Sequence, residues 1–309
     1  MGMKYDSVLD AIGNTPLIKL RHLSPVDGAV IYAKFEAVNI GASIKTRTAY
    51  EMICKAETDG LLKKDMTIVE ATSGNQGVGL ALVGAVKGYR VLIIMPDSVS
   101  EERRKIIAQY GAQVILIHDN DNIGECIEKC KETAEEYGRK DGYYLPGQFD
   151  NPANVEAQKK TGLEIVRDLD KIDGFCSGVG TGGTLTGVGT VLREHNPDIE
   201  IWAVEPDSAA ILSGSTNIGS HLQMGIGDGI IPSILDQSVY DRLCMINDDE
   251  AIETAKMLAL KEGILAGISS GTNVAAALKM ARKLGKGKTV VTILPDTGER
   301  YYSTPLFEE

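Results

Sequence analysis

Apolar and polar residues are blocked along this chain in two alternating patterns. Short, nearly continuous apolar runs at 30–36, 67–70, 91–95, 114–117, 173–177, 200–204 and 289–294 read as buried strands. Between them, positions 47–57, 76–87, 101–110, 122–137, 152–169, 183–195, 249–262 and 271–284 carry a helical period. A further short strand, 17–20, follows the turn at 12–16. Strand and helix at this spacing predict an α/β fold of parallel sheets covered on both faces. Segment 207–235 has no clear period and reads as loop with short helices.

The 309 residues suit two domains or one large one. The best boundary is the turn cluster Gln148-Phe-Asp-Asn-Pro152. It gives an N-terminal α/β domain over 36–150 and a C-terminal one over 151–309, to which the strands from 12–35 are added. The expected architecture is two doubly wound parallel-sheet domains, with the ligand in the cleft at the carboxyl ends of the strands.

Composition narrows the function classes. The chain is 43% hydrophobic and 24% charged, ordinary for a globular protein with a sizeable core. A net charge of -11 argues against a nucleic-acid binder, which needs a basic face. Small anions remain compatible, because local dipoles can hold them. The five cysteines form no CxxC pair, and Cys126 and Cys130 stand four apart without a neighbouring His. No metal site is assigned, and the cysteines read as reduced and buried in a cytoplasmic protein. No signal peptide is read at the N-terminus, and no apolar run has membrane-spanning length.

Four stretches carry candidate chemistry. In Asn39-Ile-Gly-Ala-Ser-Ile-Lys-Thr-Arg-Thr48, Ser43 suits an N-cap and Lys45 falls in the first helical turn. The helix dipole and burial there both favour the neutral amine that a Schiff base requires. Glu70-Ala-Thr-Ser-Gly-Asn-Gln-Gly77 joins a strand to a helix and offers hydroxyls and amides to an anion such as a carboxylate. Ser177-Gly-Val-Gly-Thr-Gly-Gly-Thr184 can converge amides and threonine hydroxyls on a phosphate. Its Gly178, Gly180 and Gly183, followed by Glu205, also fit the dinucleotide fingerprint, so an NAD-dependent dehydrogenase is a rival. In Gly267-Ile-Ser-Ser-Gly-Thr272, Ser269 or Ser270 suits a helix cap, or a bond to a cofactor ring nitrogen.

The order of these motifs, with IGNTPL, QFDNPAN, EGILAGISSG and PDTGERY, resembles the cysteine synthase (O-acetylserine sulfhydrylase) family along nearly the whole chain. These are pyridoxal-phosphate enzymes of the fold-type II, tryptophan synthase β-like class. The resemblance implies that Lys45 holds pyridoxal 5'-phosphate and shuttles the α-proton. It implies that Asn75 contacts the ring hydroxyl, and that Thr72, Ser73, Asn75 and Gln148 hold the substrate carboxylate. Gly180, Thr181, Gly182, Gly183 and Thr184 would cradle the phosphate, and Ser269 would bond the pyridine nitrogen. A serine there does not hold that nitrogen protonated, so the ring is a weaker electron sink. Such a site favours loss of a β-substituent to give an α-aminoacrylate, which a nucleophile attacks at Cβ. The family also implies a homodimer, with serine acetyltransferase as a partner of some members.

The departures from the family pattern are informative. Around the lysine the family reads NPGGSVKDR or NPGSSVKDR, against NIGASIKTR here, so Thr46 replaces an aspartate. Gln76 stands where threonine is typical. In Gly225-Ile-Gly-Asp-Gly229, Asp228 replaces a small residue in a loop expected to line the substrate pocket. A carboxylate ~5 Å from the substrate opposes hydrosulfide by about 3 kcal/mol at an effective dielectric of ~20. It can instead take a proton from water. The expected reaction is release of hydrogen sulfide from cysteine with water adding to give serine, Asp228 being the base. Cysteine synthesis from O-acetylserine and sulfide is the close alternative. A non-catalytic binding protein on the same fold is a remote one.

Overall fold

The computed structural model describes residues 4–72, 74–119, 123–216 and 218–308, without the side chains of 123 and 124. They form two α/β units. One comprises the described residues through Gly13 together with Lys45–Asn154; the other comprises Asn14–Ile44 and the described residues from Val155 onward.

In chain order the elements are β1 (Leu17–Lys19), β2 (Val30–Phe35), α1 (Lys45–Thr58), β3 (Thr67–Ala71), α2 (Asn75–Lys87), β4 (Arg90–Pro96), α3 (Glu101–Gln109), β5 (Gln113–Ile117), α4 (Ile123–Gly138) and β6 (Tyr143–Tyr144). Next come α5 (Pro152–Asp168), β7 (Gly174–Gly178), α6 (Gly183–His195), β8 (Glu200–Pro206), β9 (Arg242–Ile246), α7 (Asp248–Met257), α8 (Ile268–Leu284) and β10 (Thr289–Leu294).

The first unit is built on a four-stranded sheet in the order β5-β4-β3-β6, all parallel. Strand β4 is apolar and buried from Val91 to Pro96, as expected where helices cover both faces. Helix α4 packs Cys126, Cys130 and Ala134 against Val69, Leu92 and Ile94. Burial and the mutual contact of the two thiols push Cys130 up to about 12, so the cysteine pair is inert core. Helices α1 and α2 pack closely because Gly79 has no side chain. A Cβ there would come within 2.9 Å of the Lys45 carbonyl oxygen.

The second unit holds a six-stranded sheet in the order β1-β2-β10-β7-β8-β9. Edge strand β1 is antiparallel to β2, and every other pair is parallel. Successive residues alternate between the two faces: Trp202 and Val204 join one apolar cluster, Ile201 and Ala203 the other. A buried Lys34 donates to the Thr15 carbonyl and pairs with Glu164 at 2.7 Å. Glu36 has left the strand pattern for a short 3-10 turn, where it accepts from Thr15 and Asn39.

Two local expectations are corrected. The helix expected over 249–262 is α7 followed by a turn of π-helix, Leu258–Glu262, ending at left-handed Gly263. The aperiodic segment 207–235 is, as expected, loop with a short helix, the 3-10 turn Asp207–Ala209 among its described residues. Ser43 does not cap α1. Its backbone bridges to Asp296, and its buried hydroxyl has no hydrogen-bond partner.

Candidate functional site

In a parallel sheet the strand ends and the following helix starts share one edge, and each unit places its candidate residues there. In the first unit, Lys45 is the opening residue of α1, half-buried. The chain reaches it through Gly41 and Ala42 with φ of 76° and 53°. The left-handed alanine is strained, a feature that concentrates at functional sites. Asn75 opens α2 after Gly74, and no side chain caps that helix. Thr72 Oγ1 accepts the Gly74 amide at 3.2 Å. Ser73, the other expected carboxylate ligand, lies outside the described residues. Gln148 follows β6, which pairs in parallel with β3, so it reaches the same edge; it is 5% exposed.

Sequence reasoning missed how this loop is held. Thr48, one turn along α1 from Lys45, donates to Asn154 Oδ1 at 3.2 Å. Asn154 Nδ2 in turn donates to the Gln148 carbonyl at 2.8 Å. Glu70, at the end of β3, accepts the Gly147 amide. Burial pushes the Glu70 carboxyl up to about 8, against the opposing pull of the Gly147, Gln148 and Ala71 amides. Asn154 was visible inside QFDNPAN, and Thr48 and Glu70 stood at the ends of candidate stretches with no role of their own assigned.

In the second unit, the turn from β7 to α6 carries Gly180, Thr181, Gly182, Gly183 and Thr184. Helix α6 starts after Gly182, whose φ is 81°, and no side chain caps it. Apart from the Gly183 amide, its first amides and the dipole therefore face whatever lies at that end. Thr181 is buried, its hydroxyl accepting the Gly183 amide at 3.4 Å. A Cβ on Gly180 would collide with the Gly225 carbonyl, so glycine is needed for the 225–229 loop to lie against the turn. In that loop Asp228 is exposed, with Oδ2 3.4 Å from where a Gly180 Cβ would stand. His221 Nε2 bonds the Gly227 carbonyl at 3.1 Å and steadies the same loop.

Helix α8 starts at the same edge, because it precedes β10, the parallel neighbour of β7. Asn273 links them: it accepts the Gly178 amide at 2.6 Å and donates to the Ile293 carbonyl at 2.8 Å. The cap position is Gly267, and no side chain caps α8, so the capping reading of Ser269 and Ser270 is corrected. Both serines lie within the first turn and are buried; Ser270 Oγ has no hydrogen-bond partner.

The dinucleotide reading loses its acidic residue. Glu205 is 2% exposed and bonds the Leu212 amide, the Ser213 amide and the Ser213 hydroxyl, so its oxygens are committed to a loop rather than to a ribose.

The chain matches the family described as pyridoxal-phosphate dependent enzyme over residues 8–296. It is 47% identical over 305 residues to a cysteine synthase of Staphylococcus aureus, covering 98% of this chain and 97% of that one. Among solved structures, an O-ureido-L-serine synthase aligns with a TM-score of 0.92 at 41% identity, over 99% of this chain and 96% of that one. A hydrogen sulfide-producing enzyme from Fusobacterium nucleatum aligns with a TM-score of 0.89 at 42% identity, over 96% of this chain and all of that one.

The residues present fit pyridoxal phosphate. The uncapped, glycine-lined start of α6 suits a phosphate dianion. The start of α8 offers buried hydroxyls rather than a carboxylate. Lys45 begins α1, Asn75 begins α2 and Thr72 follows β3, all at one edge of the first unit's sheet. With family, fold and donor set in agreement, the chain belongs to the pyridoxal-phosphate-dependent enzymes, within their cysteine synthase branch.

Proposed function

We propose that this enzyme acts on the Cβ–S bond of cysteine, releasing hydrogen sulfide and adding water to give serine. The bound cofactor supplies the electron sink that labilises bonds at Cα and Cβ. Lys45 holds the cofactor, takes the Cα proton on Nζ and later returns it. Thr72, Ser73, Asn75 and Gln148 orient the substrate carboxylate, and Asn75 also meets the ring hydroxyl. Gly180 to Thr184 bind the phosphate, and Ser269 donates to the ring nitrogen. Hydrosulfide leaves from Cβ. Water then bonds to Cβ through its oxygen while its proton passes to Asp228.

One observation carries the choice of water over sulfide: the Asp228 carboxylate stands beside Gly180 of the phosphate-binding turn. A fixed negative charge there disfavours an incoming anion and serves a neutral nucleophile. The second reading, cysteine synthesis from O-acetylserine and sulfide, is favoured by the 47% identity to a cysteine synthase. Purified holoenzyme given cysteine alone should release sulfide and serine in equal amounts. Asp228→Ala should lower serine formation by about 10²-fold or more, the usual worth of a general base. It should also ease cysteine formation from O-acetylserine and sulfide. Unchanged serine formation in that variant would remove Asp228 as the base. The same reading places the enzyme in the cytoplasm as a homodimer, which sedimentation tests, with serine acetyltransferase as the partner to add in that experiment.

A further inference from the structure

Glu70 has no part in the reaction proposed above, yet it is a carboxyl group 4% exposed at the end of β3. Its Oε2 accepts the Gly147 amide at 3.1 Å, and the dipoles of the Gln148 and Ala71 amides favour its charged form. No lysine or arginine among the described residues forms an ion pair with it. The ionisable groups that face it are Asp150, from the turn after Gln148, and Tyr144, from β6. A buried carboxyl without a cation is costly and calls for a reason.

The reason lies in what it grips. Gly147 sits at φ 67°, which glycine reaches without strain but, being free to leave it, does not hold by itself. Glu70 holds the amide side of the Gly147–Gln148 backbone, and Asn154 holds the Gln148 carbonyl. Asn154 is itself bonded to Thr48, on the helix that begins with Lys45. We propose that Glu70 is a positioning residue for the substrate: its carboxyl fixes the Gly147–Gln148 backbone so that the Gln148 side chain meets the substrate's α-carboxylate. This rests on the assignment of Gln148 above.

The protonation state matters to the same task. With Glu70 pushed up to about 8, the carboxyl is neutral at pH 7, and no buried negative charge stands behind the group that must receive a carboxylate. Ionisation above that pH places a like charge there and weakens substrate binding. The KM for cysteine in the wild-type holoenzyme should therefore rise as pH passes 8. Glu70→Gln cannot ionise and should lack that rise. The substrate's own thiol and amine titrate equally in both enzymes and cancel in the ratio of the two KM values. That ratio, wild type over Glu70→Gln, should climb at least about fivefold between pH 6.5 and 9.5, with kcat changing less than about threefold.

Gln148→Ala completes the experiment. If it raises KM and the ratio climbs, the proposal stands. If it raises KM and the ratio stays flat, or if kcat alone responds to Glu70→Gln, the Glu70 proposal falls by itself. If Gln148→Ala leaves KM unchanged, the assignment of Gln148 falls and this proposal goes with it.

Discussion

Lys45→Ala is expected to lower kcat for cysteine breakdown by at least about 10³-fold while leaving a folded protein that still takes up cofactor. The amine does two things in the proposed reaction: it holds the cofactor, and it moves the Cα proton. Proton transfer by a placed group is worth about 10² to 10⁴ in rate, and the covalent hold adds to that. The proposed phosphate site, by contrast, is the start of α6 and its glycines, which Lys45→Ala leaves unaltered. Cofactor uptake without turnover is thus the expected signature, read by absorbance and by sulfide release. Folding is checked by fluorescence of Trp202, the single tryptophan of the sequence. Residual activity within tenfold of wild type would mean that another base takes the proton.

The largest expected effect on stability comes from one methyl group, in Gly271→Ala. Helix propensity alone predicts a gain, since alanine exceeds glycine in a helix interior by about 1 kcal/mol. Packing predicts the opposite sign. A Cβ at 271 would collide with the Ala251 carbonyl and stand 2.8 Å from the Ala255 amide. Both are backbone atoms of α7 and cannot rotate away. Helix α7 would have to withdraw from α8, opening the cluster that holds Ala251, Ala255, Val274 and Trp202. Overpacking costs about 1–3 kcal/mol when side chains can yield, and here the obstacle is backbone, so a net loss of at least about 3 kcal/mol is expected. Urea unfolding followed at Trp202 measures it in the right unit. An unchanged or raised midpoint would show that the two helices separate more easily than their packing implies.

The glycine of GISSG thus illustrates what a motif conceals. As a string it pointed to a cofactor site, and its serines do lie in the first turn of α8. Its last glycine is demanded by a neighbouring helix that the string does not mention. The parallel fold was legible because buried strands such as 91–95 write an unbroken apolar run, and helices between them write a period. Strand β9 was not, because it is an edge: Leu243 and Met245 face out while Cys244 and Ile246 face in, and it follows a stretch with no period. Strand β6 is two residues long and leaves no pattern to read. Ser43 was misread as a cap because its backbone partner, Asp296, is far along the chain.

The same distance hid the groups that hold the site. Glu70 and Gly147 are 77 positions apart, Thr48 and Asn154 are 106 apart, and Asn273 and Gly178 are 95 apart. Each is a polar contact between segments whose meeting depends on the completed fold. Glu205 shows the converse. Its distance from the glycine turn suited a ribose, but only the folded loop reveals that Leu212 and Ser213 already occupy its oxygens.

The central claim is that Lys45 holds the coenzyme. Borohydride reduction of the holoenzyme, followed by peptide mass mapping, tests it most directly. The expected result is a single pyridoxyl adduct on the peptide that contains Lys45, absent when the protein is given excess cysteine before reduction. An adduct on a different lysine, or none on any, would contradict the account.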